Sequence, residues 1–346
     1  MRLLHVGITH GDINGISLEL ITKALGSPEL LELCTPVVFS NDGCFMKTAE
    51  LAHLEQPVPL QTIQSAKETI DGRVNLVNAC ENEPFIEWGV QTETALKAEA
   101  DSLNAAIDAY KAGFIDILIC APGQLDNDFN SHSLSDFIKQ ATQSTTPEFD
   151  WIINENIRIL KLHPIAFTTE LGEGFAIEAF KEELNNINRH LRQDFGFIRP
   201  RMALISSKPN MDTVIRELEE EGITIFGPFE ANGFIEASNY KHYDAVLFLE
   251  EEEGRKKLID TLKREETIGY VSGLPLVLAY PLTGICYDKA GKGIADETPL
   301  RNALYTAIDI YRNRVAYQYA TQNPLEKQWN PKGRDDFKLD LSKEEE

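Results

Sequence analysis

Phe248–Lys257 reads FLEEEEGRKK, with four consecutive glutamates placed directly after YDAVLFLE, a run with the character of a sheet interior. Strand ends in α/β proteins collect binding and catalytic groups, and carboxylates are hard oxygen ligands for Mg²⁺ or Ca²⁺. The competing reading is a solvated helix start. Acids in a first turn complement the helix dipole, and the charges of EEEEGRKKLIDTLKREE fall at helical spacing. The spacing favours the helix. A second stretch with chemical content is GITHGDINGI, where Gly7, Gly11 and Gly15 join a strand to a helix. Glycines there permit a tight turn and let backbone N–H groups face an anion, though a tight connection alone would ask for the same residues. Asp12 is expected to cap the helix or orient the loop, and His10 beside it to hydrogen-bond locally.

The elements that must position these groups alternate along the chain. RLLHVGIT, TPVVFS, IDILICAPG, IRILKLHPIAF, PRMALISSKP, ITIFG and YDAVLFLE read as strands. SLELITKALGSPELLEL, TETALKAEADSLNAAIDAYKAG, AIEAFKEELNNINRHLRQDFG, NMDTVIRELEEEG and ETPLRNALYTAIDIYRNRVAYQYA read as helices, the last capped by Thr298. Such alternation predicts α/β layers on a largely parallel sheet. A length of 346 residues suggests two domains. The net charge of −22 opposes nucleic acid and anionic membrane as partners. Cys34, Cys44, Cys80, Cys120 and Cys286 show no zinc or disulfide spacing, and no stretch has the length of a signal peptide or membrane span. A reduced, cytoplasmic protein is the expectation. The polar tail from Asn330 is expected to fray.

Taken together, ITHGDINGI, IDILICAPG, FGFIRPRMAL, ITIFGPFEANGFIEASNYKHYDAVL and SGLPLVL with AGKGIAD resemble the 4-hydroxythreonine-4-phosphate dehydrogenase (PdxA) family. They stand in family order and cover nearly the whole chain, in a form similar to that of Bacteroidetes members. The resemblance implies an isocitrate-dehydrogenase-like α/β/α architecture: residues 1–125 plus about 285–329 as one domain, 126–284 as a second carrying the dimer interface, 330–346 as the tail, and a cleft between the domains. It implies a homodimer whose subunits share sites, NAD as hydride acceptor, and a divalent metal held by three histidines. The implied reaction is oxidation and decarboxylation of 4-phosphooxy-L-threonine in pyridoxal phosphate synthesis.

Carried over residue by residue, the resemblance is uneven. The metal histidines fall on Glu170 and Glu251, and the third ligand loop, between PRMALISSKP and the next helix, is shortened. His163, about 20 Å from Glu170 along an extended strand, is no substitute. The family lysine after Ala121-Pro122 becomes Leu125, following Gly123 and Gln124, and its Gly-His-Thr-Glu motif is reduced to Ser131, His132 and Ser133. Asparagine and arginine flanking Gly-Leu-Pro become Gly269 and Leu278, and a downstream lysine falls at Ile259 or Asp260. The backbone-shaping residues persist: Gly11, Asp12, Gly15, the Gly227-Pro228 turn, and Gly273, Pro275, Gly284, Gly291 and Gly293 in the expected cofactor region; His132, Ser133, Asp12, Gly269 and Leu278 mark what is left of the implied substrate site.

Three readings follow. The chain is a catalytically impaired paralogue, a pseudoenzyme pairing with itself or with an active relative. It is an enzyme with another substrate, small and phosphorylated in keeping with the family, and a carboxylate-bound metal. Or it retains the family reaction, with His132 the one candidate acid or base in register. On residue chemistry the first is favoured: a metal-assisted alcohol oxidation needs the metal, or a base and an oxyanion donor in its place.

Overall fold

The structure, a computed structural model, describes residues 3–51, 60–80, 82–124, 132–155, 157–162, 177–208, 211–249 and 251–322. Glu170, Glu250, His163, Leu125, Ser131 and the tail from Asn330 fall outside them.

Twelve strands form one sheet in the order β3-β4-β2-β1-β5-β12-β11-β6-β7-β10-β8-β9. They are β1 (Leu4–Thr9), β2 (Cys34–Ser40), β3 (Leu60–Ile63), β4 (Val74–Asn78), β5 (Ile117–Cys120), β6 (Phe149–Asn154), β7 (Ile157–Lys161), β8 (Met202–Ile205), β9 (Ile225–Phe229), β10 (Ala245–Phe248), β11 (Ile268–Ser272) and β12 (Val277–Pro281). Pairing is parallel except β12–β11, β11–β6 and β6–β7. The central strands β2, β5, β8, β10 and β12 are buried at every residue, as strands covered on both faces must be.

Ten helices are described: α1 (Ser17–Leu25), α2 (Pro28–Leu33), α3 (Asp42–Leu51), α4 (Glu93–Lys111), α5 (His132–Thr142), α6 (Ile177–Phe195), α7 (Met211–Glu220), α8 (Ala231–Glu236), α9 (Glu252–Asp260) and α10 (Thr298–Thr321). Alternate strand residues go to opposite faces. Val6, Ile8, Leu204 and Leu247 join the largest apolar cluster with side chains of α1, α6, α7 and α10. Leu118, Val271 and Leu278 pack with α4 and α5, and Val246 and Phe248 with α8 and α9. The α/β layering is as expected.

Several elements differ from the sequence reading. The helix read across SLELITKALGSPELLEL is two: Ser27 is extended because Pro28 follows it, and Pro28 opens α2. Thr298 does not cap α10. Glu297 holds that position, while the Thr298 hydroxyl donates to Asp296 Oδ1 at 2.6 Å. Gly227 and Pro228 lie within β9 rather than in a free turn. β3, β4, β6, β11 and β12 were not legible as strands. The glutamate run does start a helix, with Glu251 at the cap position of α9 and Glu252 and Glu253 in its first turn.

Candidate functional site

The sheet changes direction of winding at β1, which pairs with β2 on one side and β5 on the other. The crevice beyond the carboxyl ends of strands at such a point is where open α/β sheets bind ligands. Here the turns after β1 and β5 interlock. Gly11 has φ of +63°, and a Cβ on it would stand 2.3 Å from the Pro122 carbonyl oxygen, so only glycine allows the approach. Asp12 N–H donates to that oxygen at 2.9 Å.

Asp12 is fully buried and is the hub of the crevice. Oδ1 accepts the Asn14 N–H at 2.8 Å; Oδ2 accepts Gln124 Nε2 at 2.9 Å and the Tyr287 hydroxyl at 2.5 Å. Asp12 therefore orients the loop and does not cap α1. Burial, then the Asp12 carboxylate, pushes the Tyr287 phenol up from its usual range, so it stays a donor at neutral pH. Asn14 ties in the start of α4 by donating to Val90 O at 2.9 Å and Thr92 Oγ1 at 3.0 Å. Gln124 N–H donates to Glu99 Oε2 at 2.7 Å. His10, fully buried behind the turn, donates from Nδ1 to Gly11 O at 2.7 Å. Burial drives its pKa down to about 4, so the ring is neutral. Gln124 was noted in the sequence only for the lysine missing beside it, and Tyr287 was missed because 275 residues separate it from Asp12.

The second strand-end region lies at β7 and β10. Glu251 makes no side-chain capping bond. Glu252 Oε1 accepts Arg255 Nη2 at 2.6 Å, and Oε2 lies 3.1 Å from Lys161 Nζ at the end of β7. The Arg255 hydrogen bond, with Lys161 behind it, pulls the Glu252 carboxyl down to about 2. Two cations committed to one carboxylate oppose a divalent ion at this spot. Among the described residues no group of three or more His, Cys, Asp or Glu is arranged to hold a metal. The described residues at this strand end therefore offer no donor set for the metal that the family resemblance implies, and Glu170 lies outside the described residues.

The remaining candidates are dispersed. Leu278 is fully buried in the α4–α5 core. Gly269 in β11 faces Tyr280 across the ladder, and a Cβ on it would meet the Tyr280 ring at 2.1 Å. An aromatic ring thus fills the space above Gly269. Gly273 and Pro275 belong to the β11–β12 connection, which Arg314 clamps by donating to Leu274 O at 3.2 Å and Leu276 O at 3.3 Å. Gly291 lies against the Trp88 ring, and the Gly293 carbonyl accepts Lys23 Nζ at 2.9 Å. Gly284 has open space beside it, next to Ile285, whose carbonyl accepts the Ile16 N–H at 3.1 Å. His132 and Ser133 open α5, with side chains outside the described set.

The profile of the family described as "Pyridoxal phosphate biosynthetic protein PdxA" matches residues 32–307. The chain is 31% identical to the 4-hydroxythreonine-4-phosphate dehydrogenase of Bacteroides thetaiotaomicron, over 98% of this chain and 97% of that one. Among solved structures, the 4-hydroxythreonine-4-phosphate dehydrogenase of Klebsiella pneumoniae superposes with a TM-score of 0.66 at 17% identity, covering 90% of this chain and 98% of that one. A terephthalate 1,2-cis-dihydrodiol dehydrogenase from Burkholderia xenovorans superposes with a TM-score of 0.54 at 18% identity, covering 89% and 98%. The chain belongs to the PdxA family.

Proposed function

We propose that this chain keeps the PdxA dehydrogenase scaffold without the metal-assisted oxidation of a phosphate ester. The observation that carries the reading is the Lys161–Glu252–Arg255 arrangement at the strand end where the resemblance puts a metal histidine at Glu251. Leu278 in the core, and the Tyr280 ring above Gly269, support it by leaving no cation or amide at two positions expected to face substrate. NAD remains the cofactor of the proposal, with Gly284 a glycine of the expected region that has open space beside it. Bound there it would accept hydride. The crevice's own residues would orient a polar ligand through Gln124 and the Tyr287 hydroxyl, both held by Asp12.

A second reading is favoured by the full-length similarity to the Bacteroides relative: the chain is itself a 4-hydroxythreonine-4-phosphate dehydrogenase of pyridoxal phosphate synthesis, with decarboxylation following oxidation. The fold alone does not choose, since one scaffold hosts many chemistries. Purified protein, NAD and 4-phosphooxy-L-threonine, assayed for NADH with and without Zn²⁺ or Mg²⁺, decides between them. No NADH is expected; metal-dependent NADH at the rate of an active relative establishes the second reading. The homodimer, and pairing with a histidine-complete relative, belong to the same proposal. Sedimentation of the protein alone and of the mixture checks them.

A further inference from the structure

The connection from β12 to α10, residues 282–297, leaves the sheet beside β5, to which β12 is parallel. It therefore stands on the same crevice as the turns after β1 and β5. Its first half is tied there by the Ile16 N–H on Ile285 O and by the Tyr287 hydroxyl on Asp12. Its second half is held by α1. The Ala295 N–H donates to Glu19 Oε1 at 2.6 Å. Lys23, one turn further along α1, donates from Nζ to the same oxygen at 2.8 Å, to Gly293 O at 2.9 Å and to Ala295 O at 2.7 Å. All three protons of the ammonium are thereby used, and the two charges of the pair offset each other. The Lys23 and Glu19 side chains are only 15% and 3% exposed.

A buried ion pair is a weak device for stability, since well-packed apolar side chains of similar volume commonly serve as well. What this pair supplies is direction. Its bonds fix the backbone path of residues 293–295, which non-directional apolar contact would leave free to shift. We propose that Glu19 and Lys23 are positioning residues that hold the β12–α10 connection as a pre-set wall of the crevice, in the form that takes the dinucleotide. They act through the loop, which then needs no ordering at the moment of binding, a cost otherwise subtracted from affinity. The inference deepens the reading above, and it rests on that reading in naming NAD as the ligand.

The test sets NADH affinity of the full-length protein against its urea midpoint, variant by variant. Glu19→Met/Lys23→Leu fills the same space with apolar groups and should leave the midpoint near that of the unaltered protein. NADH should bind it about ten-fold more weakly, as when the set loop is populated a tenth of the time. Glu19→Gln keeps an acceptor for both donors and removes the charge. It should lower the midpoint yet hold NADH affinity within about two-fold. Glu19→Gln/Lys23→Met takes the place of the apolar double variant should that one not fold. In a W151F/W329F background, Trp88 against Gly291 reports the loop directly. There the double variant should show red-shifted emission and stronger acrylamide quenching. Undiminished NADH affinity in the double variant overturns the proposal, as does affinity falling in step with the midpoint in both variants. Absence of NADH binding in the unaltered protein sinks the cofactor reading alone. Trp88 then decides the positioning role: unchanged emission in the double variant overturns it, and shifted emission upholds it for another crevice ligand.

Discussion

Glu252 gathers two cations, Arg255 and Lys161, at a strand end. Its folded pKa of about 2 lies below the ordinary carboxylate value of 4.5. The group therefore adds stability above the unfolded pKa, and that contribution is lost as pH falls through the folded one. Thermal unfolding of the protein and of Glu252→Gln should differ at neutral pH and converge as the pH is lowered from 4.5 toward 2. A difference unchanged across that window would mean that the Lys161 and Arg255 pairings contribute nothing. Asp12 makes the contrasting case. Asp12→Ala leaves Gln124 and Tyr287 donors without their acceptor in a buried crevice and should cost about 2–3 kcal/mol in urea unfolding. Tyr287→Phe, which removes one bond, should cost about 1 kcal/mol. The role of Asp12 was half legible, because Gly-Asp-x-Asn announces a turn. Its partners were not, since no local pattern ties a loop near residue 12 to a tyrosine 275 residues later.

At the scale of elements, the sequence was readable where periodicity is long and helix ends carry their own chemistry. Helix α4 runs from a Thr92 cap whose hydroxyl accepts the Ala95 N–H at 3.2 Å, and its boundaries were visible beforehand. Thr92 also accepts from Asn14, so the cap locks α4 to the turn after β1. Thr92→Ala should cost about 1–2 kcal/mol by chemical denaturation; an effect near zero would show that the cap bond and the Asn14 tie are dispensable. β6, β11 and β12 were invisible for a physical reason. FDWIIN, IGYVS and VLAYP are short apolar runs whose burial on both faces erases alternation. Their antiparallel pairing depends on contacts far away in sequence. Gly-Leu-Pro stands out as a motif, but Arg314, which holds the Leu274 carbonyl and that of Leu276 just past it, lies about forty residues on, in a helix legible only as a helix.

For the whole molecule, the question is whether the proposed lobes, residues 1–125 plus about 285–329 against 126–284, unfold separately or as one. The sheet continues unbroken from β5 through β12, β11 and β6, and the largest apolar cluster holds Val6 and Ile8 together with Trp151, Leu204 and Leu247. A buried ionic knot crosses the same region. Arg314 of α10 donates to Asp194 of α6 at 2.7 Å, and the Tyr270 hydroxyl of β11 donates to the other Asp194 oxygen at 2.6 Å. Burial alone would raise the Asp194 pKa, yet His190, Arg314 and Tyr270 together hold it low. Removing one member of such a knot strands the others, so Asp194→Leu should cost about 3–5 kcal/mol. The prediction for the intact protein is one cooperative transition. Trp88, packed on Gly291, reports one side of the sheet, and fully buried Trp151, bonded to Ser272 at 2.9 Å, reports the other. In W151F/W329F and W88F/W329F proteins, the remaining tryptophan's fluorescence should follow far-UV circular dichroism through urea with a shared midpoint. Separated midpoints in either variant would mean that the lobes melt independently and that the shared core does not couple them.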